Sequence, residues 1–413
     1  MWTPRIQLPS LILGVAATTA WAAPGRGTAP TSVAAALRVS PEAPELKARP
    51  TLVGRLRETP HNYFRFVNRP FSEAVCRMFD DVQGSLPDVN LHGDAHVEQY
   101  AVTSLGWGLT DFDDSARGPY VVDLVRFGVS LELASRQKGW APAGGALDDF
   151  LRGYRDALSN PGVDRPPART IRSALAHFGF DHALALRRAE AQVDADPVSP
   201  SELEGDFEAY VDTMRMRIPS LPATGFRIKA AGHLRTGIGS ALDEKYLLRV
   251  EGETDAEGDD QILEAKLVRL LSDTTCVHTE AGPERVSLGM SILARAPFLF
   301  SGTFTHAHRW FWVHAWTDDY VELSIGSALS TPGELRQVAY DVGTQLGRAH
   351  PEEQAFEPAP RASRARLLES TLANEFRIRA AIDELTAATL AAWRAFRGEG
   401  PLAVSAQVVP DGG

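Results

Sequence analysis

Between Leu91 and Arg126 the chain carries His92, Asp94, His96, Glu98, Asp111, Asp113, Asp114 and Asp123, separated by short apolar runs and glycines. Val89 to Leu91, and Gly108 to Leu109 leading into Phe112, read as strand ends. Carboxylates placed just beyond buried strands sit at the lip of a sheet, where they can meet a metal ion or a substrate hydroxyl. A solvated acidic surface would not need the interleaved glycines and apolar residues. Any fold for this chain must therefore bury the runs and leave their acids at a rim.

The rest of the composition narrows the class. With 413 residues the chain is long enough for one large two-lobed domain or for two domains. A net charge of −11 speaks against non-specific nucleic-acid binding and against an acidic membrane surface, although a local basic pocket stays open. Arg5, the apolar run Leu8 to Ala17 and the small residues of Ala20-Trp21-Ala22 resemble a signal peptide over residues 1–23, cut near Ala22 or Ala23. The protein is then expected outside the cytoplasm, periplasmic or extracellular; it is cytoplasmic if that segment is neither cleaved nor exported. The run is too short for a membrane span, so none is expected in the mature chain. Residues 24–43 read as a loose linker. Cys76 and Cys276 lie 200 residues apart with nothing to bring them together, and two partly buried free thiols are the expectation.

Residues 44–83 read as mostly helical, with Pro60 as a break before a packed turn at 61–66 in which Arg65 is a paired structural arginine or a phosphate ligand. Pro119 falls where a helix's first turn is expected, and Val122, Val125, Val129 and Leu133 continue that helix at spacings of three and four. Asp123, in its first turn, suits the helix dipole. Further helices are expected at 143–158, 166–189 and 201–215. From about residue 224 the pattern changes to strands, at 226–231, 245–250 and 261–267. The first strand runs into a glycine-rich turn, Gly232 to Ser240, whose backbone N–H groups could approach a phosphate. Lys266 closes the third strand; alone, such a lysine reads as an edge or surface residue. Strands return at 300–325, then helices at 334–350 and 360–397.

His92-Gly93-Asp94-Ala95-His96, then Gln99, Asp111-Phe112-Asp113-Asp114, Pro119 and Asp123 resemble, in that order, the catalytic half of aminoglycoside and choline kinase-type phosphotransferases. In those enzymes a glycine-rich loop and a strand lysine come first; here Gly237-Ile238-Gly239-Ser240 and Lys266 come after. The segment Leu346 to His350 resembles the helix that precedes their catalytic loop. The order is that of a circular permutation. It is also similar to the uncharacterised bacterial family called domain of unknown function 2252, through Phe64-Arg65, Gly93-Asp94-Ala95-His96, Asp111-Phe112-Asp113 and Lys266. The resemblance runs over roughly residues 60 to 350.

It implies an α+β, protein-kinase-like two-lobed fold, circularly permuted. A helical lobe with the catalytic and metal loops (44–220) comes first. A small antiparallel-sheet lobe for the nucleotide (221–325) follows, then helices returning to the helical lobe (326–397) and a disordered tail (398–413). It implies ATP and Mg2+ as cofactors and an unidentified hydroxyl compound or protein as acceptor. Asp94 would be the general base, with His92 bracing its loop and Asp123 supporting it. Asp111, Gln99 and Asp113 would hold the metal. Lys266 would hold the nucleotide phosphates beneath Gly237, Gly239 and Ser240, with Glu280 and Glu284 as candidate acids beside it. Two alternatives stay open: a pseudokinase-type binding protein, and an exported metal-dependent hydrolase built on His92, Asp94, His96, Asp111 and Asp113.

Overall fold

The computed structural model describes residues 32–399 apart from 104–105, 141, 164–168, 177–180, 255, 272–273, 279–281, 317–319 and 354–358. The expected signal peptide, residues 24–31 of the linker and the tail from residue 400 lie outside the described residues. No described helix is long and apolar enough to cross a membrane.

The chain opens with two short helices, α1 (Val33–Ala36) and α2 (Pro44–Lys47). Residues 32–43 are therefore not loose. Leu37 is fully buried, and its carbonyl accepts a 2.7 Å hydrogen bond from the Tyr63 hydroxyl. Next comes α3 (Pro50–Glu58), which ends at Thr59. The Thr59 hydroxyl accepts the Asn62 N–H and starts α4 (Pro60–Phe66). Pro60, expected as a break, instead begins this helix, where its missing N–H is harmless. The expected turn at 61–66 is helical, and α5 (Asn68–Met78) follows.

The acidic stretch is carried by β1 (Asp88–Leu91), β2 (Tyr100–Thr103), β3 (Gly106–Leu109) and β4 (Ala116–Pro119). Leu91 lies opposite Ala116 and Tyr100 opposite Leu109, which brings residues 92–99 beside residues 110–115. Pro119 closes β4 rather than opening a helix, and α6 (Val121–Gln137) starts after it. Every residue of α6 from Val121 to Ser135 is buried, as for a helix packed on all sides. Helices α7 (Gly144–Ser159), α8 (Arg169–Ala176), α9 (His182–Ala195) and α10 (Pro200–Arg217) come next.

The large sheet is antiparallel. Its strands are β5 (Pro197–Val198), β6 (Ile228–His233), β7 (Lys245–Val250), β8 (Gln261–Leu267), β9 (Gly302–His306) and β10 (Arg309–Ala315), in the order β5-β6-β7-β8-β10-β9. Strand alternation decides what each face meets. Tyr246, Leu248, Val250, Leu263 and Ala265 pack with Phe207 and Tyr210 of α10. Leu247 and Ile262, on the other face, pack with Leu186 and Val193 of α9. Continuing that second face toward the strand ends gives Lys245 opposite Lys266, and Glu264 opposite His314. Lys266 is thus a buried residue of a central strand, not an edge lysine.

After α11 (Glu284–Leu293), strand β11 (Val321–Glu322) joins β2 and β3 in a three-stranded sheet. Helix α12 (Pro332–Ala349) opens with a capping box at Thr331 and Glu334. Its far end reaches β1, where the Asn90 N–H donates to the His350 carbonyl at 3.2 Å. Helix α13 (Arg361–Phe396) lays Ile378, Ile382 and Leu385 into the main core.

The expectation of two free thiols is overturned. Cys76, on α5, and Cys276, in the segment after β8, are disulfide-bonded with their Cα atoms 5.4 Å apart. The fold brings together residues that the sequence separates by 200 positions.

Candidate functional site

The loop after β1 turns sharply at Gly93, whose φ is +79°. A Cβ there would lie 2.0 Å from the Asp114 carbonyl oxygen, so only glycine fits. Asp123 holds this loop from below. Its carboxylate accepts the His92 N–H at 2.6 Å and the Gly93 N–H at 2.9 Å, and His350 Nε2 lies 3.1 Å away. His92 is fully buried, with Nε2 2.9 Å from the Thr110 carbonyl and Nδ1 accepting the Asp94 N–H at 3.3 Å. Burial lowers its pKa. A neutral His92 with its proton on Nε2 satisfies both contacts, so this side chain braces the loop and does not enter the cleft.

Asp94 does enter it. Arg126 Nε donates to Asp94 Oδ1 at 2.7 Å, with Nη2 on the same oxygen. The Arg126 guanidinium is itself buried and lies 4.2 Å over the Phe64 ring. Burial lifts the Asp94 carboxyl to about 7 against the pull of Arg126, helped by the charges of Asp114 and Asp111. Asp94 Oδ2 has His96 Nε2 at 3.9 Å. His96 is fully buried, and neither ring nitrogen hydrogen-bonds among the described residues.

Asp111 adopts a positive φ of 61°, an uncommon conformation for a residue with a side chain. Its Oδ1 accepts from Lys266 Nζ at 2.9 Å and its Oδ2 from Gln99 Nε2 at 3.1 Å. Lys266 Nζ is also 3.3 Å from Asp113 Oδ2, while Asp113 Oδ1 is buried with no hydrogen-bond partner among the described residues. Burial works against the charge on Asp111, but Lys266 and Gln99 hold its pKa low. Burial and then the Asp111 charge push Asp113 up. Two crowded carboxylates, one with an oxygen unmet, are donors of the kind a hard divalent cation takes, while Gln99 turns its N–H to Asp111 and would have to rotate its amide to offer an oxygen. Among the described residues no group of three or more His, Cys, Asp and Glu is arranged as a metal cage. Mg2+ needs only one or two carboxylates when substrate phosphates and water complete its octahedron.

The third component is the turn between β6 and β7. Gly237 sits at φ +95°. The turn's carbonyl oxygens are taken by cations: Thr236 by Lys245, Gly237 by Arg55 at 3.0 Å, Gly239 by Arg269 at 3.1 Å and Ala241 by Arg49. Ser240 Oγ accepts from Lys245 at 3.1 Å. The N–H groups of residues 236–240 donate to no acceptor among the described residues. Successive unmet N–H groups in a glycine turn make an anion-binding concavity.

Asp94, Gln99, Asp111, Asp113, Gly237, Gly239, Ser240 and Lys266 all line one cleft of about 530 Å³. His92 lies behind it, and so does Asp123, which is fully buried. The acid beside Lys266 is not Glu284, which begins α11; Asp111 and Asp113 serve instead, and Glu280 lies outside the described residues. Glu264 stands nearby, where burial raises its carboxyl but the charge of Lys266 and His314 bring it down to about 2. Arg126, Lys245 and Arg269 went unremarked in the sequence. Arg126 follows Asp123 by three residues on α6 but pairs with Asp94 instead, so its spacing gives no sign of that partner. Arg269, which pairs with Asp114 at 3.1 Å and with Asp243, follows the end of β8 and has no periodic signature.

A family model described as an uncharacterized protein conserved in bacteria, domain of unknown function 2252, matches residues 46–192. That span includes Arg65, Asp94, Gln99, Asp111 and Asp113 and stops before Gly237 and Lys266. No curated protein and no solved structure matches the chain.

Proposed function

We propose that this protein is a phosphotransferase that uses Mg2+ and ATP on a hydroxyl of a small molecule or protein. The observation that carries the reading is the cleft itself. It gathers a carboxylate with a pKa near neutrality, a lysine-bound aspartate pair and a turn of unmet N–H groups, with Lys266 and Asp111 brought together from 155 residues apart. Phosphoryl transfer asks a protein for positioning and charge rather than covalent chemistry, and these groups supply both.

Asp94 takes the proton of the acceptor hydroxyl as the new oxygen–phosphorus bond forms and the bond to the departing diphosphate breaks. Its Oδ2 is the oxygen available, because Arg126 occupies Oδ1. Lys266 and the N–H groups of residues 236–240 bind phosphate oxygens. Asp111 and Asp113, with Gln99, would hold the metal, which when bound neutralises charge on the phosphates. The permuted kinase-like fold is part of the same reading. It is supported by the Asn90–His350 hydrogen bond, which seats the end of α12 at the start of the catalytic strand. Export is supported by the disulfide, a bond that persists in oxidising compartments.

A binding protein without turnover is the second reading, favoured by the buried Arg126 that ties down Asp94. The hydrolase reading loses one of its five named residues, because His92 uses both ring nitrogens on backbone groups. Thermal unfolding with and without Mg2+-ATP, beside Asp111→Asn, tests the proposal. Ligand at a hundred times its Kd adds about 2.7 kcal/mol, a rise of a few degrees for a chain of this size. A rise that Asp111→Asn abolishes supports a metal–nucleotide site, and no rise at millimolar nucleotide refutes it.

A further inference from the structure

We propose that a second lysine, Lys245, binds the terminal phosphate of the nucleotide from within the glycine turn. The inference rests on the phosphotransferase reading and adds a phosphate ligand to that site. Strand pairing sets Lys245 of β7 directly opposite Lys266 of β8, and both line the cleft. Like charges opposite each other on neighbouring strands work against the pairing. Both lysines are buried, which raises that cost. A sheet that keeps such a pair has to meet both charges.

Lys266 is met before any ligand arrives, by Asp111 Oδ1 at 2.9 Å and Asp113 Oδ2 at 3.3 Å. Arg65 likewise has Glu98 at 3.1 Å, and Arg269 has Asp114 and Asp243. Lys245 is different. Its Nζ donates to the Thr236 carbonyl and to Ser240 Oγ at 3.1 Å, and both acceptors are neutral. No carboxylate lies within 4.0 Å of it among the described residues. Glu264, the acid whose charge acts on it most, faces His314 Nε2 at 3.4 Å instead. An ammonium carries three donors, so one stays uncommitted. Burial lowers the pKa of this amine, and the acids around it only partly oppose that. A bound anion supplies the partner that the fold does not.

Its position fits that use. The two contacts go to the first and last residues of the turn 236–240, and a Cβ on Gly237 would lie 3.2 Å from Nζ. The ammonium therefore sits among the same five residues whose N–H groups donate to no acceptor among the described residues. Backbone donors and a point charge converge there on one anion, the pairing by which a lysine and a glycine turn take a phosphate. Lys266 shares that phosphate while it keeps Asp111 and Asp113 in place.

An ATP analogue acylated on its terminal phosphate tests the contact on the full wild-type chain with Mg2+. An amine that touches this phosphate attacks the acyl carbon: the amide bond forms, the acyl–phosphate bond breaks, the amine gives up a proton and ATP leaves. Peptide mapping by mass spectrometry then reads which lysines carry the acyl group. Acylation of Lys245 that excess Mg2+-ATP prevents is expected. Calorimetry with Mg2+ and a non-hydrolysable ATP analogue is the second measurement, and Lys245→Met is expected to bind about tenfold more weakly, the loss of a charge-assisted hydrogen bond. Two results overturn the inference alone: a wild type that binds the nucleotide while acylation spares Lys245, or a Lys245→Met variant that binds it as the wild type does. Failure of the wild type to bind nucleotide overturns the phosphotransferase reading, and the inference with it.

Discussion

The two walls of the cleft are built by opposite means. On the helical wall the functional groups are carboxylates, and the protein supplies the donors: Asp123 collects two backbone N–H groups, and Arg126 occupies one oxygen of Asp94. On the sheet wall the roles reverse. Side-chain cations fill the carbonyl oxygens of the glycine turn and leave its N–H groups unmet. On the proposed reading one wall accepts a proton and the other receives an anion. On that reading the first wall contributes the base and the metal ligands, and the second the groups that bind phosphate.

The sharpest way to break that division is Asp94→Asn. The amide still offers Arg126 an oxygen, so the wall should keep its shape while losing its base. ATP turnover is expected to fall by about 10²–10⁴-fold, the usual worth of a general base. Mg2+-nucleotide affinity should stay within about twofold by calorimetry. A variant that turns over normally removes Asp94 from the chemistry; one that loses nucleotide binding shows that the walls are not separable.

The disulfide offers the next largest effect, because it ties α5 of the helical wall to the segment that also carries Arg269. Cys276→Ser is expected to cost about 2–4 kcal/mol by chemical denaturation. Hydrogen exchange should show the loss unevenly, with residues 236–243 opening more than residues 92–99, which buried hydrogen bonds hold independently. Equal opening on both sides would mean that the tie supports the whole molecule and not one wall.

The pH dependence follows from the Asp94 carboxyl at about 7. The base works only when ionised, so kcat/KM for ATP turnover should fall about tenfold per unit as pH drops below 7 and level off above it. The stability contribution has the opposite sign. A carboxyl raised on folding binds its proton more tightly in the native state. Its stabilisation is full below the ordinary carboxylate range near 4 and is lost as pH rises through 7. Asp94→Asn should flatten both profiles, and a variant with an unchanged profile would assign the titration to another group.

Much of this arrangement was legible before the structure, and for local reasons. Strands β7 and β8 are short apolar-rich runs bounded by turn residues, and the capping box of α12 is a four-residue signal. The acids of 92–114 stand out because glycines and apolar residues punctuate them. What was not legible was pairing at a distance. Arg126 meets Asp94 from 32 positions away, and Lys266 meets Asp111 from 155 positions away. Cys76 and Cys276 carry no mark of each other. Such contacts are set by how helices and sheet pack, and no residue pattern along the chain encodes them. Pro60 and Pro119 misled for a related reason: a proline disfavours continuing a helix but is equally at home starting one or ending a strand.

The smallest expected effect lies within the sheet wall, where Gly237 and Gly239 look alike in sequence and differ in structure. Gly237 sits at φ +95°, and an added Cβ would also approach Ser240 Oγ at 3.0 Å and Lys245 Nζ at 3.2 Å. Gly239 has no positive φ, and its Cβ would make ordinary contacts at 3.4 and 3.6 Å. Gly237→Ala should therefore cost about 1 kcal/mol and loosen the turn, weakening Mg2+-nucleotide binding by about fivefold. Gly239→Ala should leave thermal stability nearly unchanged. The opposite ranking, with Gly239→Ala the more damaging to nucleotide binding, would mean that the turn is valued for the open space it leaves above Asp94 and not for its left-handed backbone. The nucleotide would then have to reach past Gly239 onto the helical wall, and the separation of base from binding surface would fail at that residue.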